Sequence, residues 1–199
     1  MASEVDICNI ALNNLGASNI TALDEDSKSG RLCNQRYEFV RDTVFRSSPW
    51  NCLIQRVELA QDADTPPFGF SYQYTLPANP YCLRVLTMWT AQTNADESAY
   101  DNGDIMFKIE GRKLLTNEST AKIIYLARVE DPNEYDSLLI EAIAARLSAE
   151  LCYAVTGSAA LLNPMIATYE AKLKEARFAD ASEGMPDRIM AESFIESRF

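Results

Sequence analysis

Carboxylates carry most of the reactive chemistry in this chain, because it has no imidazole. The 199 residues contain no histidine. That rules out Ser–His–Asp and Cys–His units and any imidazole metal ligand. Neither a GxxxxGK[ST] phosphate loop nor a GxGxxG turn is present. Two acidic runs remain: Asp24, Glu25 and Asp26, and then Asp96, Glu97, Asp101 and Asp104. Paired carboxylates can hydrolyse a glycosidic bond or hold a hard cation, and that chemistry stays open. Neither run follows the D-x-[DN]-x-[DN]-G calcium spacing. Asp26–Ser27 stands directly before a helical pattern, where such residues cap free N–H groups and complement the helix dipole. Capping accounts for that run better than catalysis does. No catalytic, cofactor-binding or metal-ligating residue is assigned, and no cofactor is expected.

The other reactive groups read as structural. Cys8, Cys33, Cys52, Cys82 and Cys152 are odd in number, scattered and free of any CxxC pair, which predicts free, buried thiols. Arg31, Arg36, Arg41, Arg46, Arg128, Arg146 and Arg177 invite a nucleic-acid reading. Glutamates are interspersed with them, and the chain carries a net charge of −11, so solvated or salt-bridged helix faces are the better reading. Phe68, Phe70, Tyr72 and Tyr74 form a cluster that suits a strand core or a subunit contact better than a stacking platform. The opening MASEVDICN has acids and no cationic region, unlike a secretory signal. No apolar run approaches the roughly 20 residues of a membrane-spanning helix.

The elements that position these residues follow from local pattern. Ser3 and Asp6 form a capping-box pattern ahead of Ile7, Ile10, Ala11 and Leu15, with Gly16 as the stop. Cys33, Tyr37, Val40 and Val44 make one stripe of a helix over about Ser27 to Arg46. Pro49 ends that helix, and Trp50 follows as a plug between a helical and a β-rich layer. Asn51 to Ala60 reads as β, as do Tyr81 to Trp89 and Ala121 to Val129. Ile105 to Thr116 reads as a hairpin turning at Glu110–Gly111–Arg112. Helix returns after Asp131–Pro132 with Leu139, Ile143, Leu147 and Leu151 on one face and Gly157 as its close. A last helix begins near Asn163–Pro164, with Met165, Tyr169, Leu173 and Ala176 as its stripe. The fold class predicted is α+β: an antiparallel helical bundle formed by the N- and C-terminal helices, with a β-rich lobe inserted in the middle. Residues 1–50 and 130–182 belong to the bundle lobe and 51–129 to the β-rich lobe. Residues 183–199 form a C-terminal docking arm, whose apolar anchors are Ile189, Met190, Phe194, Ile195 and Phe199. Trp50 is assigned to the core between the lobes.

Two blocks of sequence carry a family resemblance. The first is ICNIALNNLGASNITALDEDS, then RLCNQRYEFVRDTVFRSSPWNC, then RVELA. The second is EAIAARLSAELCYAVTGS followed by YEAKLKEARFADASEGMP. Together they span the larger part of the chain in the expected order, and the combination of LG, LDEDS, RD, PWN, TGS and EG resembles the tail tubular protein A family, the head-to-tail adaptors of T7-like short-tailed bacteriophages. The resemblance implies a non-enzymatic virion structural protein of the phage neck, made in the host cytoplasm. It also implies a dodecameric ring between the portal protein and a tail nozzle protein similar to tail tubular protein B, with tail fibres nearby. DNA would pass through such a connector during ejection without specific binding, and no membrane contact is expected. Since phage tails meet cell surfaces, a tail-associated, carboxylate-based hydrolase of bacterial polysaccharide is the alternative.

Overall fold

A computed structural model describes residues 2–89 and 105–183. The acidic run Asp96, Glu97, Asp101 and Asp104 lies outside them, as do the docking-arm residues Ile189, Met190, Phe194, Ile195 and Phe199. The protein is α+β, with four α-helices and two small sheets among the described residues. It divides into a helical unit of residues 2–55, Ala78–Arg84 and Leu126–Glu183, and a β-rich unit of residues 56–77, 85–89 and 105–125. The helical unit takes in Ala78–Arg84, a segment that pattern alone assigns to the β-rich lobe.

In the helical unit, helix α1 spans Glu4–Asn14 and α2 spans Lys28–Arg46. Ser3 and Asp6 make the reciprocal cap of α1, with the Asp6 amide bonding Ser3 Oγ at 3.1 Å and the Ser3 amide bonding Asp6 Oδ2 at 2.9 Å. Gly16, at φ +69°, supplies the left-handed residue that turns the chain away. Ser27 caps α2 by accepting from the Gly30 amide at 2.9 Å. A Cβ at Gly30 would lie 2.8 Å from Glu25 Cγ and 2.9 Å from the Glu25 carbonyl, so this tight entry tolerates only glycine.

Helix α3, Ser137–Thr156, is the centre of the unit and packs against α1, α2 and α4. Its stripe of Leu139, Ile143, Leu147 and Leu151 is buried as the spacing predicts. Ala142, Ala144, Ala145, Ser148 and Ala149 are buried as well, and these small side chains let other helices approach on further sides. Burial of each large aliphatic side chain stabilises by about 1.5–3 kcal/mol, so α3 dominates the unit's core. Asp136 caps it through the Leu138 amide at 2.8 Å. A 3₁₀ turn, Pro132–Glu134, precedes it, so the helix starts later than the Asp131–Pro132 punctuation implies. Helix α4, Leu162–Ser182, lies along α3 and fully buries only Ala176. It begins before Pro164, which occupies the third helical position, where a missing N–H costs no helical bond. Residues Asn51–Leu53 are a 3₁₀ turn rather than strand, because the chain must first leave the Pro49–Trp50 corner.

The strands are β1, Ile54–Leu59; β2, Tyr72–Thr75; β3, Cys82–Trp89; β4, Phe107–Glu110; β5, Lys113–Thr116; and β6, Ala121–Ala127. One sheet has the order β1-β6-β3, the other β2-β5-β4. β4 and β5 are the expected hairpin, paired antiparallel from Phe107 opposite Thr116 to Glu110 opposite Lys113, with Gly111 at φ +59° in the turn. β2 pairs antiparallel with the other edge of β5, Tyr74 opposite Leu114. Tyr74 is buried and its hydroxyl donates to the Glu118 carbonyl at 2.9 Å.

Candidate functional site

Most of the described residues that carry the sequence resemblance fall in the helical unit, with RVELA, residues 56–60, in the β-rich unit. Arg41 is the most informative of them. Helical spacing puts it beside the α2 stripe, four residues after Tyr37 and four before Phe45, and those three side chains are all buried. Arg41 is only 3% exposed, whereas the sequence reads it as part of a solvated face. The stripe read from spacing is too narrow, because the buried side of α2 also includes Arg41 and Phe45. Arg41 Nε donates to Asp42 Oδ1 at 3.1 Å and its Nη1 stands 3.8 Å from Glu4 Oε1 on α1. Its guanidinium sits 5.8 Å from the Tyr37 ring centroid. Asp42 turns its second oxygen to Arg128 Nη2 at 2.5 Å, and the Arg128 guanidinium lies 4.6 Å over the Tyr81 ring. A single polar chain therefore links α1, α2, the segment after β6 and the residue before β3.

Electrostatics in this chain follow from burial. Desolvation works against the charged Arg41, but the adjacent Asp42 charge and hydrogen bond outweigh it and hold its pKa above the ordinary value. Desolvation raises the Glu4 carboxyl, with Arg41 opposing. Burial drives the hydroxyls of Tyr37 and Tyr135 well above the tyrosine range, so both stay neutral. Tyr135 donates to the Val129 carbonyl at 2.8 Å and meets Phe45 edge-on at 5.2 Å. Arg41 stays charged and the two tyrosines stay neutral at neutral pH, while the Tyr37 hydroxyl is buried without a hydrogen-bond partner among the described residues.

A second junction ties the two halves of the chain together. Asn51, of the PWN motif, bonds Asp180 twice: its backbone amide donates to Asp180 Oδ1 at 2.9 Å and its Nδ2 donates to the Asp180 carbonyl at 2.7 Å. Arg177 Nη2 donates to the Ser47 carbonyl at 2.6 Å. Trp50 is 1% exposed, and its indole N–H donates to the Val44 carbonyl at 3.0 Å, closing the last turn of α2. No signal in the sequence pairs Asn51 with Asp180, since 129 residues separate them.

The remaining candidates are placed as follows. Glu25 accepts from the Thr21 amide at 2.8 Å and the Thr21 hydroxyl at 3.1 Å. Hydrogen bonds from Ser27 first, and then from Thr21, hold its pKa low. Asp26 pairs with Arg31 at 2.5 Å on the surface. Cys8, Cys33, Cys82 and Cys152 are free and buried; Cys52 is free and half-buried. A hydrogen bond to Cys33, and then burial, pushes the Cys8 thiol up. Tyr72 and Tyr74 share β2, but Phe68 and Phe70 fall in the preceding loop and Phe68 is 88% exposed, so the four rings do not line one strand. A groove of about 350 Å³ is lined by Asn79, Pro80, Tyr81, Arg128, Asp131 and Glu134, among others. Among the described residues, no group of three or more cysteines and carboxylates could hold a metal ion, and no helix is long and apolar enough to cross a membrane. No family model matches the chain, and no curated protein matches it in sequence.

Proposed function

We propose that this chain is a structural head-to-tail adaptor of a short-tailed bacteriophage, a ring subunit that joins the portal to the tail nozzle and lets DNA pass. The observation that carries the reading is the convergence of the motif residues. The RD pair, Arg41–Asp42, forms the buried brace. The LDEDS segment builds the entry to α2, and PWN meets the end of α4 through Asn51 and Asp180. Parts of two blocks far apart in sequence thus meet in one helical body, which supports the reading drawn from the resemblance. The motif residues build scaffold. Arg41, Asp42, Ser27 and Asn51 are held in ion pairs, a cap and cross-element hydrogen bonds, which suits a part that transmits load. The net charge of −11 suits a passage that DNA must slide through, since a basic lining would hold phosphate. In this reading the segment 185–199, with Ile189, Met190, Phe194, Ile195 and Phe199, is the arm that docks on the portal. The test is a binding assay with the portal protein encoded in the same genome. The full chain should sediment with portal rings, and a chain ending at Glu183 should not. Failure of the full chain to bind any portal assembly would refute the reading.

A further inference from the structure

Arg36, Phe39, Val40 and Thr43 stand at i, i+3, i+4 and i+7 of α2 and so share one row of that helix. With Arg146 and Glu150 of α3 they line a groove of about 170 Å³ inside the helical unit. Val40 is buried, whereas Phe39 is 74% exposed. Arg146 Nη2 pairs with Glu150 Oε1 at 2.7 Å, and its guanidinium lies 5.3 Å from the Tyr169 ring centroid on α4. Arg36 is exposed and has no hydrogen-bond or ion-pair partner among the described residues. Glu38 is two residues along α2 and faces elsewhere. Asp42 is held by Arg41 and Arg128. The groove therefore carries two guanidinium groups against one carboxylate, a local excess of one positive charge on a chain whose net charge is −11.

We propose that this groove is a docking site for an acidic segment of a partner protein. A carboxylate of the partner takes the unpaired guanidinium of Arg36, and an apolar side chain beside it lies against Phe39 and Val40. Charge selects the occupant, because the groove lacks one anion and an arginine fork receives a carboxylate through two parallel hydrogen bonds. Arginine and aromatic side chains are also the groups enriched where proteins touch. Size points the same way. Pockets for small molecules enclose roughly 300–1,000 Å³, and this groove is smaller, so what enters it is a side chain or two of a larger body. Duplex DNA fits less well, since phosphate binding draws on many cations and the groove offers one that is unpaired. A second copy fits less well too, since it brings a net charge of −11 against −11. The site makes no use of residues 185–199, and it does not rest on the adaptor reading.

The test titrates the isotope-labelled full chain with two pools of short random peptides. The pools differ at one fixed position, glutamate in one and glutamine in the other, and every other position is uncharged. Arginine Nε–H resonances are followed by nuclear magnetic resonance, and Arg36→Gln identifies the Arg36 signal by its loss. The glutamate pool should shift the Arg36 and Arg146 signals. It should bind at least about tenfold more tightly than the glutamine pool, since a charge-assisted hydrogen bond supplies the roughly 1.4 kcal/mol that tenfold represents. Arg36→Gln should erase that preference, and Phe39→Ala should weaken both pools by the same factor. Both side chains are exposed, so each variant should keep the parent's melting temperature. Equal binding of the two pools, no binding of the glutamate pool, or a preference that survives Arg36→Gln would overturn the inference. So would duplex DNA that shifts these signals at physiological salt more than the glutamate pool does, or shifts that appear when the chain alone is concentrated. None of these outcomes bears on portal binding, so the adaptor reading stands or falls separately.

Discussion

Replacing Arg41 with methionine keeps the length of the stem and removes the guanidinium. Its loss strands Asp42 only partly, because Arg128 Nη2 still holds the second carboxylate oxygen at 2.5 Å. Glu4 is left without its cation but is 37% exposed and can be solvated. Removing one partner of a buried ion pair costs about 3–5 kcal/mol, and the surviving Arg128 contact places Arg41→Met near about 3 kcal/mol. For a chain of this size that is a fall in melting temperature of about 6–12 °C. Arg41→Lys keeps the charge and loses the fork, so it should cost about 1 kcal/mol. Asp42→Asn should cost more than either, because it withdraws the shared anion from both Arg41 and Arg128. The order Asp42→Asn, then Arg41→Met, then Arg41→Lys is the distinctive expectation. The assay is guanidinium unfolding followed by far-ultraviolet circular dichroism, whose helix signal reports the unit concerned. The double variant Arg41→Met/Asp42→Asn should cost less than the sum of the singles by about 1–3 kcal/mol. An Arg41→Met protein within about 0.5 kcal/mol of the parent would show that the brace is not a stabilising element.

Three further outcomes can be checked on the same chain. Trp50→Ala should cost about 3–5 kcal/mol, as truncation of a buried large aromatic does, with Trp50→Phe intermediate because it loses the bond to the Val44 carbonyl; an unchanged melting temperature would make the residue peripheral. Asp180→Ala should cost about 1 kcal/mol and speed hydrogen exchange at the Asn51 amide, whose acceptor it removes; unchanged exchange there would deny the junction. Lys113, and then Thr75, hold the Asp62 carboxyl below its ordinary range. The folded state thus favours the carboxylate, so its stabilisation is complete above the unfolded aspartate value of about 3.9 and is lost as pH falls through the lower folded value. Asp62→Asn should flatten the loss of stability below about pH 4; a parent-like acid limb would assign that loss to other groups.

Much of the helical unit was legible because its signals are local. The Ser3–Asp6 cap, the Gly16 and Gly157 stops and the Leu139-to-Leu151 stripe each depend on residues close in sequence, and each is present in the structure. The β4–β5 hairpin was legible for the same reason, through Gly111. What spacing did not reveal was set by distant partners. Arg41 meets Glu4 and Tyr135, both distant in sequence, and Asp180 finds Asn51 across 129 residues. A two-residue clue existed for Arg41, which lies on the helical row between Tyr37 and Phe45. Pro164 shows the limit of punctuation: it is tolerated anywhere in a first turn, so it marks a helix start without fixing the residue.

The most direct test of the adaptor reading is an electron cryomicroscopy reconstruction of the neck of the assembled phage particle. It should show this chain in multiple copies as a closed ring between portal and nozzle, with DNA on the ring axis and no base-specific contact. A neck built without this chain, or with it in single copy, would contradict the adaptor role.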